Sequence, residues 1–227
     1  MLRAVIFDLD GVITDSARYH YQAWKQLADR LNIPFDEAYN EKLKGVSRME
    51  SLDLILKNGK TGAFYSEEEK EKFAIEKNEI YKKRINQMTP NDVLPGILTL
   101  LKEIKRAKLL IAIASVSRNA RTIIERLQIE EYIDYIANVE KIKHAKPYPD
   151  IFLACARTLQ VEPKDCIGIE DAKTGIEAIH RAGMLAVGVG STEQMKEADL
   201  ILEGTGQLSL KILQKFYNQS IERLFPL

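Results

Sequence analysis

Short, uninterrupted apolar runs alternate along most of this chain with longer segments whose apolar residues recur every three or four positions. The runs predict strands, because the strands of a parallel sheet are buried on both faces and read as continuous apolar stretches. They lie at residues 4–7, 109–114, 166–169, 185–189 and 199–202, with a shorter one within 132–137. Helical sets between them comprise Leu98, Leu101 and Ile104, the segment 120–127, and the segment 176–182, which ends before Gly183 as a left-handed stop. Strands that alternate with helices predict an α/β fold with right-handed crossovers and a parallel sheet.

Residues 16–89 break this alternation, because they contain helical patterns and no convincing strand. Helices are predicted within residues 21–31, 52–56 and 73–81, and a loop is predicted at residues 58–62. The chain therefore predicts a core domain of residues 1–15 and 90–227 and an inserted helical cap domain of residues 16–89. Since the insertion directly follows the first strand, we expect it to lie over the end of that strand as a mobile lid.

Two carboxylates, Asp8 and Asp10, directly follow the first predicted strand. Ligands of open α/β sheets bind beyond the carboxyl ends of the strands, so reactive groups are expected there. Two acids this close repel each other unless they share a proton or a cation. The pair suits a nucleophilic carboxylate on Mg²⁺ with a second acid beside it. The alternatives are a turn that favours aspartate and a calcium loop, which would need glycine and glutamate where Ile13 and Tyr19 stand.

A donor-rich cluster follows the predicted strand at 109–114. Ser115 could donate its hydroxyl to a phosphoryl oxygen, helped by the backbone N–H of Val116, although a serine here is more often a helix N-cap. Ser117, Arg118 and Asn119 come next, at the start of a predicted helix. Such a cluster is a plausible anion site.

Two more groups complete the candidate chemistry of the core. Glu170 and Asp171 follow the strand at 166–169 and, at the same sheet edge as Asp8, are natural oxygen ligands for Mg²⁺. Lys146 stands beside prolines that restrict the backbone, so its ammonium could be aimed at a fixed point. A single lysine is otherwise usually a solvated surface residue.

The predicted cap carries one basic segment of interest, Lys44-Gly45-Val46-Ser47-Arg48. A basic residue on an exposed helical lid is more often a solvated charge. A cation of the lid could also hold the far end of a phosphorylated substrate, and Arg48 could do so with two hydrogen bonds.

Composition narrows the classes of partner. The 227 residues contain 33 Lys and Arg against 33 Asp and Glu, so nothing favours nucleic acid or an anionic membrane. No apolar run approaches the roughly 20 residues that span a bilayer, and no signal peptide is visible. Cys155 and Cys166 form no paired metal motif and read as small buried residues. We expect a cytoplasmic monomer that acts on small molecules.

Taken together, these motifs resemble the haloacid dehalogenase superfamily of phosphotransferases. The resemblance rests on Asp8-x-Asp10-Gly11, Ser115, Lys146 and Glu170-Asp171, in that order, and covers nearly the whole chain. Within the superfamily, the segments FDLDGVITDS, YHYQAWK, LKGVSRMESL, PGILTLLKEIK, IASVSRN, KPYPDIF and GIEDAKTGIEAI are similar to those of mutases that act on glucose phosphates. The resemblance implies a Rossmann-like parallel-sheet core with an inserted α-helical cap. It also implies an isomerase that converts β-D-glucose 1-phosphate into D-glucose 6-phosphate through β-glucose 1,6-bisphosphate.

The resemblance also implies a role for each matching residue. Asp8 would be the phosphorylated nucleophile, and Asp10 the general acid and base. One Mg²⁺ per chain would be held by Asp8, the backbone carbonyl of Asp10, Glu170 and Asp171. Ser115 and Lys146 would surround the transferring phosphoryl group together with Val116. The other substrate- and phosphate-binding positions would be His20, Trp24, Lys44, Gly45, Val46, Ser47, Arg48, Ser51, Ser117, Arg118 and Asn119, and His20 would form a hinge pair with Lys77.

Three positions depart from the pattern of these mutases: Ser16, Val116 and Arg118 stand where threonine, alanine and lysine are common. The hydroxyl, the backbone N–H and the charge survive, so the departures bear on efficiency and sugar preference rather than on reaction class. Two other functions stay open. One is a sugar-phosphate phosphatase on the same scaffold, in which water accepts the phosphoryl group, and the other is a catalytically silent protein that binds sugar phosphates.

Overall fold

The computed structural model describes residues 1–43 and 46–224. Its strands are β1 (Ala4–Phe7), β2 (Leu110–Ile113), β3 (Tyr135–Ile136), β4 (Cys166–Glu170), β5 (Leu185–Val189) and β6 (Leu200–Leu202). Within the described ranges they form one sheet in the order β3-β2-β1-β4-β5-β6, and every neighbouring pair is parallel. The predicted α/β class with a parallel sheet is confirmed.

Helices fill the chain between the strands. They are α1 (Ala17–Arg30), α2 (Glu37–Asn40), α3 (Arg48–Asn58), α4 (Glu67–Ile85), α5 (Ile97–Arg106), α6 (Ala120–Leu127), α7 (Asp150–Leu159), α8 (Lys173–Arg181) and α9 (Leu210–Leu224). Short 3-10 helices lie at Glu41–Leu43, Gly62–Phe64, Pro90–Asp92, Glu130–Tyr132, Val139–Lys141, Pro163–Asp165 and Thr205–Gln207. In the described part of the chain, no helix combines the length and the apolar character needed to cross a bilayer.

The strands follow the apolar runs because both faces of the sheet are covered. Every residue of β1 and of β4 is buried. The predicted runs at 109–114 and 132–137 extend past the residues that pair with a neighbouring strand, so β2 and β3 are shorter than predicted. Conversely, β4 runs one residue beyond the prediction and includes Glu170, which pairs with Gly188 of β5.

One helical face differs from the prediction. Helix α5 buries Ile97, Leu100, Leu101 and Ile104, whereas Leu98 is 39% exposed, so the prediction that Leu98 shares the buried face was wrong. At 3.6 residues per turn, Leu98 is rotated by roughly 100° from Ile97 and leaves the buried stripe. After α8, in contrast, Gly183 has a φ of +76°, which confirms the predicted left-handed stop.

The chain divides into two compact units. One consists of Met1–Asp15 and Thr89–Leu227, and its core packs helices against the sheet around residues such as Ile6, Phe152 and Ile179. The other, Ser16–Met88, is helical and has its own core around Trp24 and Leu52. Helices α3 and α4 of the second unit each begin with a capping box, in which a serine hydroxyl and a glutamate satisfy backbone N–H groups.

The centre of the sheet holds a reversal of strand order. From β1 the chain adds β2 and β3 on one side, and it then crosses to add β4, β5 and β6 on the other. This topological switch point between β1 and β4 is where open α/β sheets bind ligands. The residues that follow β1 and end β4 are therefore the first to consider for function.

Candidate active site

Two buried carboxylates meet at the switch point. Asp8 follows β1, and its backbone N–H donates to the carbonyl of Ile169 at 2.9 Å. Glu170 is the last residue of β4, and it is only 1% exposed, against 7% for Asp8. The parallel register of β1 and β4 thus brings carboxylates from distant parts of the sequence to one edge of the sheet.

Lys146 lies between these two carboxylates. Its Nζ donates to Oδ1 of Asp8 and to Oε1 of Glu170, each at 2.5 Å, and the ammonium lies 5.2 Å from the centre of the Phe152 ring. Burial by itself would lower the pKa of Lys146, but the charges of the two carboxylates outweigh burial and raise the pKa above its usual value. The site therefore holds a permanent positive charge against Asp8.

A tight turn holds the other oxygen of Asp8. The backbone N–H of Asp10 donates to Oδ2 of Asp8 at 2.9 Å, and Gly11 closes the turn by donating to the carbonyl of Thr14 at 2.8 Å. Gly11 has a φ of +82°, and a Cβ there would overlap the carboxylate of Asp171. Both the backbone conformation and the close approach of Asp171 require glycine at this position.

The carboxylates form a site that suits a divalent cation. One oxygen each from Asp8, Glu170 and Asp171 lies within 4.8 Å of the others. Burial, followed by the negative charges of the neighbouring carboxylates, raises the pKa of Asp171 to about 8. Burial likewise raises the pKa of Glu170, although Lys146 opposes the rise. A bound cation would offset the repulsion between these buried carboxylates. A set of oxygen ligands such as this one fits Mg²⁺.

The loop after β2 folds into two successive serine turns. Ala114 donates its N–H to the carbonyl of Phe7 at 2.7 Å, which starts the loop beside the end of β1. The N–H of Ser117 donates to Oγ of Ser115 at 3.1 Å, and that of Asn119 donates to Oγ of Ser117 at 3.2 Å. Helix α6 has Asn119 as its N-cap, which excludes the alternative in which Ser115 is the cap.

The flanking residues of this loop differ in exposure. Ser115 and Asn119 are buried, and Val116 packs at the margin of the core. Arg118 is exposed and lies 3.9 Å from a carboxylate oxygen of Glu140. The hydroxyl of Ser115 keeps its proton for donation, since its oxygen is the acceptor in the turn.

In the helical unit, the structure brings His20, Trp24 and Lys77 together. The buried Nζ of Lys77 lies 2.9 Å from Nδ1 of His20, 4.6 Å from the centre of the Trp24 ring and 5.0 Å from that of Tyr81. Burial lowers the pKa of His20 well below its usual value, and the positive charges of Lys77 and Arg48 add to the effect. His20 is therefore neutral near pH 7 and accepts a hydrogen bond from Lys77.

The basic segment of the helical unit leads into α3. Lys44 and Gly45 lie outside the described residues, and Val46 is half-buried. Ser47 is the N-cap of α3, so its hydroxyl accepts from the N–H of Glu50 at 3.4 Å. Arg48 donates to Oδ1 of Asn78 at 2.9 Å, and Ser51 is buried within the unit.

Two residues near Lys146 escaped the sequence analysis. Phe152 presents its ring to the ammonium of Lys146, and Gly175 lies where a Cβ would overlap the carboxyl group of Glu170. The sequence gives no signal for Phe152, because an apolar residue on a helix is normally a core residue. Gly175 gives a weak signal, because glycine in the first turn of a helix is unfavourable without a packing reason.

The fold and this carboxylate site define a class of protein. The chain belongs to the haloacid dehalogenase-like hydrolase family, whose model matches residues 2–183.

Individual proteins of known name are also similar to this chain. The chain is 47% identical over 218 residues to beta-phosphoglucomutase of Bacillus subtilis, with 96% of each protein covered. It matches a crystal structure of beta-phosphoglucomutase from Clostridium difficile with a TM-score of 0.94 and 49% identity, over 97% of this chain and 99% of the other. A phosphorylated carbohydrates phosphatase of Thermotoga maritima is 28% identical over 204 residues, covering 89% of this chain and 91% of that protein.

Proposed function

We propose that this protein interconverts β-D-glucose 1-phosphate and D-glucose 6-phosphate, with Asp8 as the residue that carries the phosphoryl group. The observation that carries the proposal is the position of Asp8 at the switch point of the sheet. One of its carboxyl oxygens accepts from Lys146 and the other from the N–H of Asp10. The names of the Bacillus subtilis and Clostridium difficile relatives support the choice of sugar phosphate.

The proposed chemistry is two phosphoryl transfers through one carboxylate. An oxygen of Asp8 forms a bond to phosphorus as the bond between phosphorus and the donor's oxygen breaks, and Asp10 gives a proton to that departing oxygen. In the second transfer the oxygen of an incoming sugar hydroxyl forms a bond to phosphorus as the bond between Asp8 and phosphorus breaks, and Asp10 takes the proton of that hydroxyl. When β-glucose 1,6-bisphosphate is the donor to Asp8, either glucose phosphate can leave, so the bisphosphate serves as both intermediate and primer.

Charge stabilisation is the main task of the surrounding groups, since phosphoryl transfer depends chiefly on positioning and electrostatics. Lys146 offsets the negative charge on the equatorial oxygens, and Ser115 and the N–H of Val116 donate hydrogen bonds to them. Mg²⁺, held by Asp8, the backbone carbonyl of Asp10, Glu170 and Asp171, would supply further charge stabilisation when bound.

We assign the second phosphate of the bisphosphate to Arg48, Ser117 and Asn119, with Arg118 nearby in sequence. The helical unit, residues 16–89, is proposed as a cap that excludes water, because the phosphorylated Asp8 must outlast the reorientation of the bisphosphate. Further cap positions in this proposal are His20, Trp24, Lys44, Gly45, Val46, Ser47 and Ser51. A cytoplasmic monomer stays a prediction, which sedimentation and cell fractionation would check.

A single product assay tests this proposal. The protein receives β-D-glucose 1-phosphate, Mg²⁺ and a trace of β-glucose 1,6-bisphosphate, and the products are followed by ³¹P NMR. Glucose 6-phosphate as the main product supports the mutase. Inorganic phosphate as the main product would instead favour a sugar-phosphate phosphatase, the second candidate, which the Thermotoga maritima relative makes worth testing.

A further inference from the structure

Glycine in the first turn of α8 is unexpected on helix propensity alone. Gly175 is the third residue of the helix, and its Cα is buried. Alanine is the best helix former and glycine the poorest apart from proline. Its φ is not in the left-handed region that favours glycine. Some other requirement therefore excludes a side chain at this position.

The carboxyl group of Glu170 occupies the space that a side chain at position 175 would fill. A Cβ on Gly175 would overlap the carboxyl carbon and Oε1 of Glu170, and it would lie 2.5 Å from Cγ. Alanine at this position would therefore force the buried carboxyl group of Glu170 to move. Because the carboxyl group includes Oε1, its displacement would also move the oxygen that accepts the hydrogen bond from Lys146.

The same carboxyl group also closes the start of α8. Ala172 is the N-cap and offers no side-chain acceptor. Oε2 of Glu170 instead accepts from the N–H groups of Asp171 and Ala172, each at 3.0 Å. In a capping box, a glutamate at the third helical position reaches back to the N-cap N–H. Here Glu170, at the end of β4, accepts from the N-cap N–H instead. The third helical position is Gly175, which has no side chain to occupy the space of the Glu170 carboxyl group.

We propose that Gly175 is a positioning residue for phosphoryl transfer, because it reserves the space from which Glu170 holds the Lys146 ammonium on Asp8. The chain of contacts runs from the bare Cα of Gly175 to the carboxyl of Glu170 and then to Lys146. Gly175 touches no reacting atom and acts through the other two residues. The inference rests on the proposed function, in which Lys146 stabilises the transferring phosphoryl group.

The test compares Gly175→Ala with a matched control, Gly168→Ala. Gly168 lies in β4 and packs on the same helix, but its added Cβ would meet the apolar side chain of Ile179, at 2.5 Å from Cγ1. The first readout is an NMR spectrum that selects lysine ammonium groups in the full chain without metal. A buried ammonium between two carboxylates exchanges its protons slowly, and the Lys146 signal is identified by its loss in Lys146→Arg.

We expect Gly175→Ala to lose the Lys146 signal and Gly168→Ala to keep it. With Mg²⁺ present, we expect Gly175→Ala to lower kcat about 100-fold with little change in KM, as for a catalytic group misplaced by about 1 Å. Retention of the signal and of kcat in Gly175→Ala would overturn the proposal, as would equal losses in both variants. If Gly175→Ala does not fold, Glu170→Gln adds no volume and should still weaken the Lys146 signal, and an unchanged signal there contradicts the proposal.

The two proposals fail in different ways. If the wild-type chain makes no glucose 6-phosphate, the proposed reaction is wrong. The ammonium signal decides the role of Gly175 without any turnover, so its outcome in the two glycine variants stands apart from the assay.

Discussion

The ammonium of Lys146 lies 2.5 Å from Oδ1 of Asp8, although 138 positions separate the two residues along the chain. The contact fixes the positions of both side chains. One carboxyl oxygen of Asp8 accepts a hydrogen bond from the ammonium, and Lys146 is held away from solvent. A nucleophile that is fixed in place before substrate arrives loses little entropy on the way to the transition state.

The proposed role of Asp8 as nucleophile predicts that Asp8→Asn abolishes turnover. The amide of asparagine cannot accept the phosphoryl group as a carboxylate does. Because asparagine and aspartate are nearly the same size, the variant should still fold. The measurement is glucose 6-phosphate formation together with thermal unfolding. Asp29→Asn makes the same chemical change at an exposed aspartate of α1 and should keep full activity. Full activity in Asp8→Asn would refute the assignment.

The proposed role of Asp10 as general acid and base predicts a different loss of activity. Asp10→Ala should fold normally and lose activity by about 10²–10⁴-fold, the usual contribution of general acid–base catalysis. A substrate with a good leaving group, such as an aryl phosphate, needs no proton for departure. Phosphorylation of the Asp10→Ala protein by that substrate should therefore be less impaired, and equal impairment on both substrates contradicts the role.

Removal of the Lys146 charge should destabilise the protein. Lys146→Met leaves Asp8 and Glu170 buried side by side without a counter-ion, and breaking a buried pair in this way costs about 3–5 kcal/mol. Urea unfolding without metal measures the loss. Lys173→Met removes an exposed ion pair with Glu197 and should cost less than about 1 kcal/mol. Added Mg²⁺ should recover part of the loss in Lys146→Met, and similar stability of the two variants would count against the buried pair.

The proposed second-phosphate contact predicts a substrate-dependent effect of Arg48→Ala. The mutase kcat/KM should fall roughly 30-fold, which corresponds to about 2 kcal/mol for a lost charge-assisted hydrogen bond. Hydrolysis of a small aryl phosphate, which has no second anionic end, should change little. Arg30→Ala removes an exposed arginine of the same unit that pairs with Glu76 and serves as the control. Equal losses on both substrates would exclude the assignment.

The lowered pKa of His20 predicts a loss of stability in acid. A histidine whose pKa is lower in the folded than in the unfolded chain binds fewer protons when folded, so stability falls as the pH drops below the unfolded value of about 6.5. The slope from this residue approaches about 1.4 kcal/mol per pH unit until the folded pKa is reached. His20→Gln should flatten the dependence of urea unfolding on pH between 7 and 5. His180→Gln removes a histidine beside Asp199 on the surface and serves as the control for the loss of an imidazole.

The strands and the residues that follow them were readable in the sequence because both depend on local pattern. A run such as Ala4–Phe7 has no polar face to expose, so it must be a buried strand, and a parallel sheet collects its strand ends at one edge. That reasoning indicated Asp8, Ser115 and the two acids, Glu170 and Asp171, where β4 ends. Leu98 shows where such reasoning from pattern fails. A spacing of three residues fits a helix face that contains Leu98 as well as one that contains Ile97, and only the second is buried.

By itself, then, the sequence determined the α/β class, the interruption by a helical segment and the set of polar groups at the strand ends. Only the tertiary structure decided which of those groups meet. Lys146 meets Asp8 from 138 positions away along the chain and Glu170 from 24 positions away. The Phe152 ring and the bare Cα of Gly175 contact members of this bridge. Periodicity records which face of an element is buried, because burial is a property of one segment. A contact is a property of two segments, and their distance and orientation appear only when the sheet has assembled.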